Sequence, residues 1–327
     1  MQVFPVFLPL KGCPFKCIYC DQYLITGSDH FNLDEHLEDI AKFCHLHNDQ
    51  EKEIAFFGGT FTALDLLWQR EQFSKLASFI NDKTGIRYST RPDCISNRDL
   101  ELAKEYGIKT IELGIQDFSD EVLLKSKRGY KQATAINACK LIKDHNFKLG
   151  IQIMPGLPGF SAASLSETTR IILELKPDYV RIYPTVVLRG TKLADLYCQG
   201  EYKPLELEEA IAICVDLFLQ FTGHDIKVIK MGVQIDSVDT NAIIAGPYHK
   251  AFGELVQSHL LINDLSKQIP HDSSEIEIIV SKNNVSKLTG HSQYGLNLLK
   301  LKHQDKIIKL TIDTNTVESI IRVKLIN

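Results

Sequence analysis

No uninterrupted apolar run in the sequence approaches the roughly 18 residues needed to cross a bilayer, which argues against a membrane-spanning helix and for no membrane partner. No leader is expected either. Residues 1–10 (MQVFPVFLPL) are apolar but contain two prolines and no basic segment, and Lys11 stands where a lipoprotein signal needs a small residue before Cys13. The start therefore reads as a buried first strand, and the cytoplasm is the expected location. Charge of one sign is scarce too: 37 Lys and Arg against 41 Asp and Glu leave a net charge of −4. The balance by itself marks no polyanion or membrane surface as partner. Repeats and low-complexity tracts are absent, and with 44% hydrophobic residues in 327 the chain can bury a sizeable core.

Short β-type runs alternate with helical patterns. The strands expected are Val3 to Leu8, Glu53 to Phe57, Ile86 to Thr90, Thr110 to Gln116, Lys148 to Met154 and Asp178 to Pro184. Helical spacing of apolar residues lies between them, as in Leu33, Leu37, Ile40, Ala41 and Cys44, or Leu207, Ala210, Ile211, Cys214, Leu217, Phe218 and Phe221. This repetition implies a parallel sheet. Six units fall short of the eight of a closed barrel, so the fold class is α/β, a partial (β/α)6 TIM-like barrel with its site at the C-terminal ends of the strands. Residues 1–261 are assigned to the barrel with its extension. Residues 262–327 are assigned to a small α+β lobe, patterned strand, helix, glycine, helix, strand and carrying nine Lys or Arg against seven Asp or Glu.

Eight cysteines in a reducing compartment imply no disulfide framework, so each reads as core, ligand or nucleophile. Cys44, Cys139 and Cys214 fall on apolar helical stripes and are expected in the core. Cys13, Cys17 and Cys20 are different: they fall within eight residues (CPFKCIYC) directly after the first strand. Three soft, anionic thiolates on one loop suit iron or zinc. Structural zinc wants four protein ligands, and nearby there are only Asp21 and, ten residues on, His30. Three protein ligands fit a 4Fe-4S cluster with one iron left open to a substrate or cofactor.

The Cys-x3-Cys-x2-Cys run, with Tyr19 before the third cysteine, resembles the cluster loop of the radical S-adenosylmethionine (SAM) superfamily. Phe56-Phe57-Gly58-Gly59-Thr60-Phe61-Thr62 is similar to that superfamily's glycine-rich turn after the second strand. Leu113-Gly114-Ile115-Gln116-Asp117-Phe118 resembles the fourth-strand motif of oxygen-independent coproporphyrinogen oxidases, and Gly156-Leu157-Pro158-Gly159 fits after the fifth strand. The run from Arg181 to Thr191 (RIYPTVVLRGT), with Gly200-Glu201-Tyr202-Lys203 after it, resembles the radical SAM domain of the Elongator catalytic subunit most closely. The likeness covers about residues 5 to 230.

The resemblance implies two cofactors, a 4Fe-4S cluster on Cys13, Cys17 and Cys20, and SAM. It implies that Tyr19, Gly58, Gly59, Thr60, Ser89, Gln116, Arg128 and Gln152 line the SAM site. Gly58-Gly59 would meet the methionyl amino group, Gln116 the ribose and Arg128 the SAM carboxylate. Ser89 and Gln152 stand where coproporphyrinogen oxidases carry a glutamate and an aspartate, and both keep hydrogen-bonding capacity. Arg181 and Tyr183 are candidates to face substrate, and His249 for an acid or base. No catalytic side chain is assigned. Gly290-His291-Ser292-Gln293 faintly resembles the backbone-clamping loop of a KH module, with Gln293 where that family has a second glycine.

The function expected from the resemblance is reductive cleavage of SAM to a 5′-deoxyadenosyl radical, with flavodoxin or ferredoxin as reductant and tRNA modification as the process. A small-molecule substrate such as a tetrapyrrole and a non-enzymatic metal-binding protein are the alternatives. Acetyl-CoA is not expected as a partner, because residues 262–327 are about half the length an acetyltransferase needs.

Overall fold

The computed structural model describes residues 1–9, 11–22, 24, 30–233, 242–270, 273–313 and 321–325. Two compact units divide it. The first comprises residues 1–206 and 220–248, the second residues 207–219 and 249–327. This division gives the second unit all of the helix Phe252–Ser266 and most of the helix Leu207–Thr222, whereas the sequence-based boundary lies at 261/262.

In the first unit seven parallel strands form one curled sheet, a half-barrel consistent with a partial TIM barrel: β1 (Gln2–Phe7), β2 (Lys52–Phe57), β3 (Thr84–Thr90), β4 (Ile108–Gln116), β5 (Lys148–Ile153), β6 (Tyr179–Ile182) and, beyond a two-stranded ribbon of β7 (Val187–Leu188) and β9 (Ile243–Ala245), β8 (Lys227–Met231). The first six strands lie where the sequence expects them, but β1 is an edge strand in which only Val6 is buried, which corrects the expectation of a buried first strand. The seventh, β8, was missed because KVIKM is only five residues long and two of them are lysines.

Helices cover the outer face because their apolar stripes match the strands' outward residues. Ala135, Ala138, Cys139 and Ile142 of the helix Gln132–Asp144 are all buried, as are Ile171, Ile172 and Leu175 of Ala162–Leu175. Cys139 and Cys214 have no exposed surface, whereas Cys44 is only half-buried, so that one core assignment is corrected. The inner face is polar instead. Glu53, Arg87, Thr110 and Glu112 are buried there, with Arg87 ion-paired to Glu53. Buried charges persist only when paired, and these close the bottom of the curl.

In the second unit β10 (Glu275–Ser281) pairs in parallel with β11 (Ile307–Asp313) and antiparallel with β12 (Ile321–Leu325). Ile276, Ile278 and Val280 alternate inward onto Ile262, Leu265, Leu288 and Leu299 of the helices. Between the helices Val285–Thr289 and Tyr294–Lys302, Gln293 adopts φ 62°, the left-handed conformation that a glycine there would take without strain. His249 accepts a hydrogen bond from the Ala251 N–H at Nδ1 (3.0 Å), and its ring lies edge-on to His291. Those contacts are those of a helix-start structural histidine.

Candidate cluster and cofactor site

The cysteine loop leaves β1 at the C-terminal edge of the sheet and is held from three sides. Thr60 donates its backbone N–H to the Lys11 carbonyl (2.9 Å), and its hydroxyl stands 3.2 Å from Cys13 Sγ. A Cβ built on Gly59 would lie 2.5 Å from the Lys11 carbonyl oxygen and 2.7 Å from that of Leu8. Only glycine lets the β2 turn and the cysteine loop approach this closely. From the second side, the Ile18 carbonyl accepts from Leu193 N–H (2.8 Å), while Cys17, Ile18 and Tyr19 pack with Leu157, Val187, Leu193 and Tyr202. The RIYPTVVLRGT segment therefore braces the cysteine loop, a role its sequence alone does not disclose.

The third side is cationic. Arg128 is only 4% exposed. Its Nη1 donates to Cys17 Sγ at 3.1 Å and to the Tyr19 hydroxyl at 3.3 Å, its Nε and Nη2 reach the Tyr130 hydroxyl, and Nη2 also reaches the Gly114 carbonyl. Arg91, held bidentate by Asp93, points Nη1 at the same sulfur at 3.7 Å. Burial together with the neighbouring Cys17 pushes the Cys20 thiol up to about 12. Thiolates here need cationic neighbours, and two arginines supply them. Arg128 is thus no solvated charge. Arg91 and Tyr130 were missed by the sequence reading; Arg91-Pro92 directly after an apolar strand was the available signal.

Gln116 ends β4 with φ 75°, at a register irregularity between Gly114 and Gln116. Its Oε1 accepts from Gln152 Nε2 at 3.1 Å, which joins two residues predicted separately. The Gly114 carbonyl accepts from Arg128, and a Cβ on Gly114 would lie 2.9 Å from Gln116 Nε2, so this glycine sits between the pair and the arginine bonded to the cysteine loop. Ser89 is turned elsewhere: it donates to Glu112 Oε1 at 3.1 Å, and Glu112 also accepts from the Tyr179 hydroxyl and from Arg181 Nη1, each at 3.1 Å. Glu112 was missed by the sequence reading because a lone glutamate inside an apolar strand carries no motif.

Among the described residues no three His, Cys, Asp or Glu side chains lie close enough to share a single metal ion. Three thiolates that each bind a different iron of a four-iron cluster do not need that closeness. The donor set therefore fits a cluster: three cysteine sulfurs on one loop, close backbone approach at Gly59, and two guanidinium groups against the anionic sulfur.

Comparison with known proteins agrees with this geometry. Residues 7–172 match the radical SAM superfamily and residues 177–261 the radical SAM C-terminal domain. A tRNA uridine(34) acetyltransferase of Methanocaldococcus jannaschii is 33% identical over 258 residues, which covers 65% of this chain and 48% of the relative. Human Elongator complex protein 3 is 29% identical over 191 residues, covering 51% of this chain and 35% of the relative. The chain spans about half the length of the tRNA uridine(34) acetyltransferases it matches. Among solved structures, Elp3 of Methanocaldococcus infernus superposes with TM-score 0.61 at 24% identity, over 81% of this chain and 63% of that one. A coproporphyrinogen III oxidase from Escherichia coli superposes with TM-score 0.51 at 19% identity, over 68% and 53%. These two likenesses show the fold. The acetyltransferase in the relatives' names conflicts with the exclusion of acetyl-CoA, which rested on the length of residues 262–327 alone and does not stand. No helix among the described residues is long and apolar enough to cross a membrane.

Proposed function

The chain belongs to the radical SAM superfamily of enzymes, and on that premise we propose that it cleaves SAM reductively at a 4Fe-4S cluster and uses the product to modify a tRNA uridine. One observation carries the reading: the glycine-rich turn after β2 is pinned to the cysteine loop through Thr60 and Cys13, so the cluster ligands and the SAM-facing turn form one rigid element. Cys13, Cys17 and Cys20 would hold the cluster. Gly58, Gly59, Thr60, Gln116 and Gln152 would hold SAM at the strand ends, with Tyr19, Ser89 and Arg128 around them. When bound, the reduced cluster would supply one electron to the SAM sulfonium, breaking a carbon–sulfur bond to give methionine and a 5′-deoxyadenosyl radical able to take a hydrogen atom from a substrate carbon.

The chain's own part is to bind, orient and exclude water. Arg128 and Arg91 offset the anionic charge at Cys17, and the Gln116–Gln152 pair presents amide donors and acceptors suited to a ribose. Similarity to relatives named for tRNA uridine(34) supports the substrate; likeness to the coproporphyrinogen oxidase extends to fold alone. Flavodoxin or ferredoxin is the proposed class of reductant.

The test is anaerobic reconstitution followed by iron and sulfide analysis, then reduction with dithionite in the presence of SAM, with and without tRNA. Brown protein releasing 5′-deoxyadenosine, faster with tRNA, is the expected result. Stoichiometric zinc without sulfide contradicts the cluster. Acceleration by a tetrapyrrole but not by tRNA moves the substrate to the small-molecule alternative.

A further inference from the structure

Beyond the buried Glu53–Arg87 pair, the inner face of the half-barrel carries a second polar layer that Ser89 shares with the proposed SAM site. Glu112, 2% exposed, lies at its centre and accepts from Ser89, Tyr179 and Arg181. Strand register places Arg181 beside Gln152, and Gln152 in turn bonds Gln116, so this layer adjoins the proposed ribose site. Across the curl, the Arg181 guanidinium carbon lies 4.7 Å from the centre of the Phe57 ring and 5.9 Å from that of Tyr183. Phe57, Arg181 and Tyr183 are all partly exposed, while Glu112 below them is closed off.

One detail sets Arg181 apart from the arginines that hold the cysteine loop. Its Nε is buried and has no hydrogen-bond partner. An orphaned buried donor is costly, and a group that accepts from it removes that cost. Charge narrows the ligand. The positive charge of Arg181 is already balanced by Glu112 at 3.1 Å, so the pair itself offers no net charge to a carboxylate or phosphate. A neutral carbonyl oxygen needs none. The aromatic walls of Phe57 and Tyr183 suit a flat ring carrying that carbonyl.

We propose that Arg181 recognises the base being modified, its partly exposed guanidinium donating to a carbonyl oxygen of a uracil ring bound against Phe57, Arg181 and Tyr183. This rests on the reading that the substrate is a tRNA uridine, and it names the side chain that selects the base.

Reconstituted protein with SAM present is titrated with a fluorescent anticodon stem-loop carrying uracil at the wobble position, and with the same RNA carrying cytosine, whose amine replaces one carbonyl. Wild type is expected to favour uracil by about tenfold, the usual worth of one well-placed base contact. The double variant Arg181→Gln/Glu112→Gln removes both charges together and leaves neither buried alone; it is expected to reduce the preference below about twofold. Arg181→Lys, which keeps charge but loses the planar edge, is expected to do the same and decides the matter if the double variant does not fold. Uracil preference retained in folded variants overturns the assignment of Arg181 and leaves the tRNA reading intact. Equal binding of both RNAs by wild type also overturns it. No binding of either RNA by wild type removes the tRNA substrate and this inference with it.

Discussion

Thr60 and Cys13 meet hydroxyl to sulfur at 3.2 Å although 47 residues separate them in the chain. The contact joins the turn after β2 to the loop after β1, and the parallel pairing of those two strands, Phe7 opposite Phe57, makes it possible. The loop proposed to hold the cluster and the turn proposed to hold SAM are therefore packed directly against each other.

This packing gives a first expectation. Gly59→Ala places a Cβ 2.5 Å from the Lys11 carbonyl oxygen and 2.7 Å from that of Leu8, and backbone atoms cannot swing aside as a side chain would. The variant should lose SAM affinity and iron together. Normal iron content with weak SAM binding would show that Gly59 touches only the cofactor.

Each of Cys13→Ala, Cys17→Ala and Cys20→Ala should remove most of the roughly four irons expected per chain on anaerobic reconstitution. Iron and sulfide analysis with visible absorption reads the result. Full iron content in any one variant would mean that another residue holds that corner.

The barrel was legible because both of its signals are periodic: strands and amphipathic helices alternate, and the cysteines follow the first strand directly. All six strands were placed to within two residues at either end. The network of Glu112, Ser89, Tyr179 and Arg181 was not legible, because it assembles residues from β3, β4 and β6 that share nothing in sequence. Gln116 and Gln152 were identified singly; their mutual hydrogen bond depends on the register of β4 against β5, which no motif encodes.

Arg128 has two roles to separate. The resemblance assigns it to the SAM carboxylate, and the structure shows its donors bonded to Cys17, Tyr19, Tyr130 and Gly114. Arg128→Ala should lower the stability of cofactor-free protein by roughly 2 to 3 kcal/mol, because buried acceptors lose their donor. Thermal melting without SAM measures this. A variant with unchanged melting temperature and weakened SAM binding would assign Arg128 to the cofactor alone.

Cys139 and Cys214 are buried without exposed surface, and burial pushes both thiols upward, Cys139 to about 12. They stay protonated and behave as small hydrophobes. Cys139→Ala and Cys214→Ala should each cost about 1 to 2 kcal/mol and leave iron content at the wild-type level. Loss of iron in either variant would make the set of Cys13, Cys17 and Cys20 incomplete.

Asp117 follows Gln116 and is pushed up to about 6 by burial, although its Oδ1 accepts from the Ser119 N–H at 2.7 Å and the Thr168 hydroxyl at 3.0 Å. The unfolded chain ionises this carboxyl near its ordinary value of 3.8, so between about pH 4 and pH 6 the folded protein holds the extra proton. Stability must then fall as pH rises through that window and level off above it. Asp117→Asn keeps an acceptor oxygen and cannot ionise. It should match wild type near pH 4 and exceed it at pH 7.5 by on the order of 2 kcal/mol. Urea denaturation at both pH values measures the difference. A variant equally destabilised at both would mean that Asp117 acts through its hydrogen bonds, with its charge contributing nothing.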